Sequence, residues 1–96
     1  MAKKGYWVAM VEIADFEQYK AYIAANAAAF EKYGARFVVR GGRHVAPEGP
    51  VGDRQVVIEF DSYDTALACY NSPEYQAALK LRQPCSSARM AIIEGF

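Results

Sequence analysis

The 96-residue sequence lacks features that would place it in several large classes of proteins. Its 11 basic and 11 acidic residues cancel, so it has no excess positive charge to gather nucleic acid or an anionic membrane surface. It also has no apolar run near the roughly 18 residues that a membrane span requires. The sequence therefore predicts neither nucleic-acid binding nor membrane insertion.

Cysteine and histidine are also scarce, with two cysteines and a single histidine, His44. Cys69 and Cys85 do not have CxxC spacing, and no candidate ligands are clustered as they are in a zinc or iron site. The opening MAKKGYWVAMVEIADF has acidic residues within its apolar stretch and no small-residue cleavage site, unlike a secretory signal. We therefore expect reduced thiols, a cytoplasmic location, and neither a metal ion nor another cofactor.

Hydrophobic residues, in contrast, are abundant: they make up 53% of the chain, and aromatic residues make up 14%. This composition is typical of one folded domain, here residues 1–96, and not of a disordered or fibrous chain. A chain of this length leaves a large share of its surface exposed on folding. The apolar surplus therefore favours burial against a partner chain.

Periodicity divides the chain into strands and helices. Apolar runs rich in β-branched and aromatic residues predict strands at residues 6–13, 35–45, 54–60 and 88–96. Helical spacing follows the capping residue Asp15 and ends at Gly34. A second helix begins after Ser62, breaks at Asn71 and restarts at Ser72.

The order strand, helix, strand, strand, helix, strand predicts an α+β fold of the ferredoxin-like βαββαβ type. In this arrangement a four-stranded antiparallel sheet has both helices on one face. Gly41 and Gly42 lie in the second predicted strand, where they predict a bulge or a bend.

Both faces of the predicted sheet are apolar. In the first strand Trp7 and Val11 share one face, while Val8 and Met10 share the other. The helices cover only one face, and a second sheet about 10 Å away is the usual cover for the other. We therefore predict a homodimer that forms through the sheet face.

Three glutamates are expected on the face away from the helices, near strand ends: Glu12, Glu59 and Glu94. Carboxylates buried there need partners. The candidate partners on or beside the second and third strands are Arg36, Arg40, Arg43 and Arg54. Either the glutamates line a polar cavity at the rim of the sheet, or they are strand ends that are solvated or ion-paired.

Several stretches together resemble a known family: GYWVAMVEI, AANAAAFEKYGARFVVRGG and VVIEFDSYDTALACYNSPEYQAALKLRQP. In this order they are similar to domain-of-unknown-function family 1330, over essentially the whole chain. The resemblance implies a dimeric α+β barrel, in which two ferredoxin-like sheets pack together. It does not imply one activity, because the wider superfamily includes cofactor-free monooxygenases, isomerases, decarboxylases and binding proteins.

His44 and Glu59 are the candidate catalytic residues. His44 is the only side chain whose ordinary pKa lies near neutrality, and it follows the Gly41–Gly42 pair where the strand leaves the sheet. It is either a general base or a solvent-exposed strand-end histidine.

A second group of residues is predicted to bind a small organic molecule. Tyrosines on the two helices could line a cleft between helices and sheet, or they could be core residues with a solvated hydroxyl. Tyr75 and Arg82 are seven apart and so share a helix face, although Arg82 also suits a helix C-terminus without any ligand. The predicted binding residues are Tyr19, Arg40, Tyr70, Tyr75 and Arg82.

Two function classes remain open from the sequence. In the first, a cofactor-independent enzyme of the proton-transfer or oxygenase type holds a small molecule in an aromatic pocket. There His44 or a glutamate moves a proton, and Arg40 or Arg82 stabilises the anion. In the second, a non-catalytic stress or regulatory dimer acts through ligand or protein binding.

Overall fold

A computed structural model describes residues 3–96 of the chain. Along the chain its elements are β1 (Gly5–Ile13), α1 (Phe16–Lys32), β2 (Arg36–Arg40), β3 (Arg54–Phe60), α2 (Tyr63–Tyr70), α3 (Pro73–Arg82) and β4 (Ser86–Glu94). No helix within residues 3–96 has the length and apolarity needed to cross a membrane.

The strands form one antiparallel sheet in the order β2-β3-β1-β4. The central strand β1 pairs with β3 on one side and with β4 on the other. This arrangement confirms the predicted ferredoxin-like α+β fold, and β3 has the bounds that the sequence predicted.

Local capping chemistry sets the helix boundaries. The Asp15 side chain accepts a hydrogen bond from the Gln18 amide at 3.1 Å and begins α1. Ser72 caps α3 in the same way, and Pro73 occupies its first turn. The break predicted at Asn71 is present, so the second helical segment consists of two helices and the sheet carries three helices in all.

The second strand is shorter than predicted, because β2 ends at Arg40 and does not continue to residue 45. Gly41 and Gly42 have φ values of +70° and +99°, so they end the strand and begin a long loop. The irregularity in strand pairing lies earlier, between Phe37 and Val39. The prediction of a strand through residue 45 was therefore wrong, and of the bulge or bend predicted at the glycine pair the structure has a bend, at Gly41.

The helices pack on one face of the sheet around an aromatic core. Trp7 lies at its centre, with ring centroids 4.8 Å from Tyr75, 5.3 Å from Phe60 and 5.4 Å from Phe30. Its indole nitrogen donates to the carbonyl of Ala66 at 2.9 Å, so the one polar atom of this buried ring is satisfied.

The other face of the sheet is open within this chain. Glu59 lies on it as predicted, in register with Tyr6. The prediction for Glu94 was wrong, because Glu94 pairs with Gly5 and so shares the side of Ile92, which packs against the core. Both parities of β4 are apolar at residues 90–93, so the sequence pattern could not tell which one faces the helices.

Candidate functional site

A cavity of about 40 Å³ lies between helices α1 and α3 and the helix-facing side of the sheet. Two small side chains in neighbouring strands, Ala9 and Ala88, form part of its floor beside Val11 and Met90. Larger side chains in place of the two alanines would fill the space below the helices.

Helix α1 supplies one wall through residues spaced three or four apart. Tyr19, Tyr22, Asn26 and Phe30 all line the cavity and are all buried. This spacing places them on one face of the helix, above the sheet. Asn26 is the polar exception on this face.

Three arginines line the same cavity, and each has its guanidinium over an aromatic ring. The distances from the guanidinium carbon to the ring centroid are 4.3 Å for Arg40 on Phe37, 5.9 Å for Arg54 on Tyr19 and 5.5 Å for Arg82 on Tyr22. No carboxylate within residues 3–96 lies within 4.0 Å of any of these guanidiniums, and no acidic residue lines the cavity. The cavity is therefore a positively charged space with aromatic walls.

The three arginines differ in burial. Arg82 is only 9% exposed, Arg54 is half-buried, and Arg40 is exposed at the rim. The Nε of Arg54 is fully buried and has no hydrogen-bond partner among residues 3–96. Buried arginines are normally paired, so this arrangement costs free energy unless an anion is present.

Two phenol groups meet at the wall formed by α1 and α3. The hydroxyls of Tyr22 and Tyr75 are 2.8 Å apart and share one hydrogen bond. Burial raises the pKa of Tyr75, and Tyr22 raises it further, while the neighbouring Arg82 lowers it. The Tyr75 hydroxyl therefore stays protonated at neutral pH and acts as a hydrogen-bond donor or acceptor.

Asn26 completes the set of polar groups around the cavity. It is 6% exposed, and its side-chain amide makes no hydrogen bond to any residue from 3 to 96. The amide atoms of Asn26 are not fully buried, so the cavity gives them access to solvent or to a polar ligand.

The structure brings together four of the residues predicted to bind a ligand: Tyr19, Arg40, Tyr75 and Arg82. Tyr75 and Arg82 lie on the same face of α3, as their spacing predicted. Tyr70 lies outside this lining, and its ring packs against Trp7 and Tyr75 in the core.

The two candidate catalytic residues lie elsewhere. His44 is exposed in the loop between β2 and β3, and it lines only open surface grooves. Glu59 is on the open face of the sheet, where it accepts hydrogen bonds from Tyr6 at 2.9 Å and from Arg36 at 3.0 Å. Neither residue lines the cavity. Within residues 3–96, no three His, Cys, Asp or Glu side chains are grouped as metal ligands.

Sequence reasoning named Tyr22 as a possible cleft residue but missed Asn26 and Arg54. A signal was available for both missed residues. Arg54 has the strand parity of the apolar Val56 and Ile58, so a charge was present on a helix-facing position. Asn26 interrupts the stretch AANAAAF on the apolar face of α1.

Comparison with known proteins agrees with this fold. A family model described as Domain of unknown function (DUF1330) matches residues 4–96. A search of curated proteins found no match.

Solved structures with the same fold have low sequence identity to the chain. A protein of unknown function from Rhodopseudomonas palustris has a TM-score of 0.79 at 20% identity, covering 100% of this chain and 85% of that one. SnoaB from Streptomyces nogalater, a cofactor-independent oxygenase, has a TM-score of 0.67 at 13% identity, covering 99% and 95%. A dimeric protein of unknown function with a ferredoxin-like fold, from Bacteroides fragilis, has a TM-score of 0.58 at 18% identity, covering 95% of each chain.

Proposed function

The chain belongs to the DUF1330 family, and we propose that it is a homodimer that binds a small organic molecule in the cavity between its helices and its sheet. One observation carries this proposal: Asn26 and Arg82 are both more than nine-tenths buried and line the cavity, yet within residues 3–96 Asn26 makes no side-chain hydrogen bond and Arg82 has the Tyr75 hydroxyl beside it but no carboxylate. Polar groups in such a position are normally satisfied by a partner, and a bound molecule would supply one.

Binding is tested by native mass spectrometry of the freshly purified protein. We expect a dimer that carries a discrete additional mass. An Ala88→Leu variant fills the floor of the cavity without removing a polar group, so it should lose this mass. Ala68→Leu is the matched control, because Ala68 is exposed on α2 and does not line the cavity. If the Ala88→Leu and Ala68→Leu variants retain small molecules equally, the cavity is not the binding site.

The dimer is proposed to form through the open face of the sheet. This face carries Val8 and Met10 from β1, and it also carries Ile93, which is 46% exposed within the single chain. Apolar side chains exposed on a sheet face are typical of an interface. The neighbour from Bacteroides fragilis with the same fold is also dimeric, which supports a dimer.

Light scattering after size-exclusion chromatography tests this interface. We expect Ile93→Lys to produce monomers, because it buries a charge in the contact between the two sheets. Val45→Lys is the control, since Val45 is an exposed apolar residue of the loop after β2. A wild-type monomer, or a dimer that survives Ile93→Lys, would contradict the sheet-face interface.

Binding without catalysis is the function that the cavity supports best. Proton transfer needs a base within hydrogen-bond reach of the substrate. The residues around this cavity include no His, Asp or Glu, and burial raises the pKa of its Tyr75. His44 and Glu59 would need a different ligand site to act as bases.

An oxygenase remains the alternative, because the same fold is found in SnoaB, a cofactor-independent oxygenase. Oxygen uptake should be measured with the molecule that native mass spectrometry recovers. Uptake that depends on the protein and stops in Ala88→Leu would establish catalysis at this cavity. An intact molecule and no uptake would establish a binding protein.

A further inference from the structure

We propose that the ligand of this cavity is a small organic carboxylate, whose carboxylate group binds between Arg54 and Arg82. The inference rests on the proposed function and adds the chemical class of the ligand. The two guanidiniums lie over the rings of Tyr19 and Tyr22, whose centroids are 5.4 Å apart, so both belong to one stretch of the cavity wall.

The charge balance of the cavity favours an anion. Arg40, Arg54 and Arg82 line it, and its lining contains no acidic side chain. Arginine remains charged at any physiological pH, so these residues cannot relieve their burial by losing a proton. Burial by itself would lower the pKa of Arg82, yet the neighbouring Tyr75 and Tyr22 raise it. An anion is the one partner that would neutralise this wall.

Each guanidinium keeps N–H donors for a ligand, because it has five and a neighbouring hydroxyl, Tyr19 for Arg54 and Tyr75 for Arg82, can accept only some of them. A guanidinium over an aromatic ring uses its face for that contact, while its N–H groups point outward in its own plane. These in-plane donors match the two oxygens of a carboxylate. Arg54 already has a buried Nε without a partner within residues 3–96, which a bound carboxylate oxygen would satisfy.

The neutral groups also supply donors. Tyr22 and Tyr75 have two phenol protons between them, and their mutual hydrogen bond uses one. The other proton has no acceptor among residues 3–96, and arginine cannot accept it. Asn26 adds an unpartnered amide. A carboxylate accepts hydrogen bonds and donates none, so it complements this excess of donors.

The size and polarity of the cavity favour a single carboxylate with a compact organic part. A space of about 40 Å³ holds only a few atoms. Arg54 also borders an open groove beside Ile13, Phe16 and Asp53, so the rest of the molecule can extend in that direction, where the Asp53 carboxylate disfavours a second acid group. The remaining walls are mainly apolar, including Trp7, Ile23 and Met90. They suit an organic anion better than a strongly hydrated inorganic phosphate.

The test compares probes that differ in charge but not in shape. Benzoate and benzamide form one pair and acetate and acetamide another, with inorganic phosphate as a further probe. Binding is followed by NMR through the arginine Nε–H and tyrosine ring signals of the wild-type protein. We expect benzoate to bind at least about tenfold more tightly than benzamide, as for hydrogen bonds to a charged acceptor.

Variants locate the carboxylate group. Arg54→Met and Arg82→Met should each weaken benzoate binding by about tenfold or more and leave benzamide binding nearly unchanged. Arg43→Met is the matched control, because Arg43 is exposed in the loop and does not line the cavity. If either variant fails to fold, the comparison of paired probes on the wild-type protein still decides the question.

The outcomes separate this inference from the proposed function. If acids and amides bind equally to the wild-type protein and both lose binding in Ala88→Leu, the result contradicts a carboxylate ligand but supports the cavity as the binding site. Tighter binding of phosphate than of any carboxylate would also contradict a carboxylate ligand. If no probe binds and no molecule is retained on purification, both the inference and the proposed function are wrong.

Discussion

The hydroxyl groups of Tyr22 and Tyr75 lie 2.8 Å apart and join helix α1 to helix α3 across the wall of the cavity. Tyr75 is 1% exposed, so its hydroxyl has no direct access to bulk water. The pair is therefore both a contact between two helices and part of the candidate site.

We expect Tyr22→Phe to lower the free energy of unfolding by about 1 kcal/mol, because the Tyr75 hydroxyl loses its partner. The double variant Tyr22→Phe/Tyr75→Phe should lose less than the sum of the two single variants, since no hydroxyl is left unpaired. Urea unfolding of the four proteins in this cycle measures the coupling. Strictly additive losses would show that the two hydroxyls do not stabilise one another.

Much of the fold could be predicted from local signals. Asp15, Ser62 and Ser72 each cap the helix that the sequence assigned to them. These signals are reliable because the chemistry of a helix N-terminus is short-range. The strand bounds of β3 were also correct, since the β-branched residues 56–58 mark the strand and Asp61 with the capping Ser62 follows its last residue directly.

The site was less predictable, because it depends on strand register and on loop conformation. Simple alternation from Phe37 would place Arg40 on the open face. The irregularity at Val38 returns Arg40 to the helix-facing side, in register with Val56. His44 was expected beside the sheet, but the strand ends before Gly41 and leaves it in an exposed loop. Neither shift leaves a periodic signal in the sequence.

Two glycines in the loop between β2 and β3 have the same backbone φ but different surroundings. Substituting each one distinguishes the cost of backbone strain from the cost of a steric clash. Gly49 and Gly52 both have a φ of +79°. A Cβ at Gly52 would lie 2.6 Å from the carbonyl oxygen of Val11, whereas a Cβ at Gly49 would have nothing within 4 Å. Gly49→Ala should therefore cost only the backbone strain of an alanine in this region, about 1 kcal/mol.

Gly52→Ala should lower the free energy of unfolding by at least about 1 kcal/mol more than Gly49→Ala, because backbone atoms must move to accommodate the methyl group. Thermal and urea unfolding of both variants measure the difference. Equal losses would show that the loop shifts freely away from β1 and that the close approach to Val11 is not a constraint.

The ion pair on the open face predicts a pH dependence. Arg36 and then Tyr6 donate to the Glu59 carboxylate, and these hydrogen bonds lower its pKa from the ordinary value of 4.5. A pKa lowered by folding means that this contribution to stability is complete above pH 4.5. It is lost as the pH falls through the lower value of the folded state.

We expect Arg36→Met to raise the pKa of Glu59 toward 4.5 and to reduce the loss of stability in acid. Carbon-detected NMR titration of the side-chain carboxyl measures this pKa directly. Arg43→Met, which removes a charge from the exposed loop, should leave it unchanged. A Glu59 pKa that is the same in wild type and Arg36→Met would contradict the assigned pair.

Arg82 provides the most direct test of whether the cavity is built for a ligand. Its guanidinium lies over Tyr22, and Arg82 occupies the last turn of α3, two contacts that stabilise a helix C-terminus by roughly 0.3–1 kcal/mol each. Burying the Arg82 charge without a carboxylate partner costs on the order of several kcal/mol, which is more than these two contacts contribute. The ligand-free protein should therefore be no less stable without this charge.

We expect Arg82→Met to keep or raise the free energy of unfolding, by up to about 1 kcal/mol, while it weakens carboxylate binding. Urea unfolding of the ligand-free protein measures the first effect, with Arg43→Met as the control for removing an arginine elsewhere. If Arg82→Met alone loses much stability, Arg82 is a structural residue that holds α3 in place. A residue whose role is to bind the ligand should not be needed for the stability of the ligand-free protein.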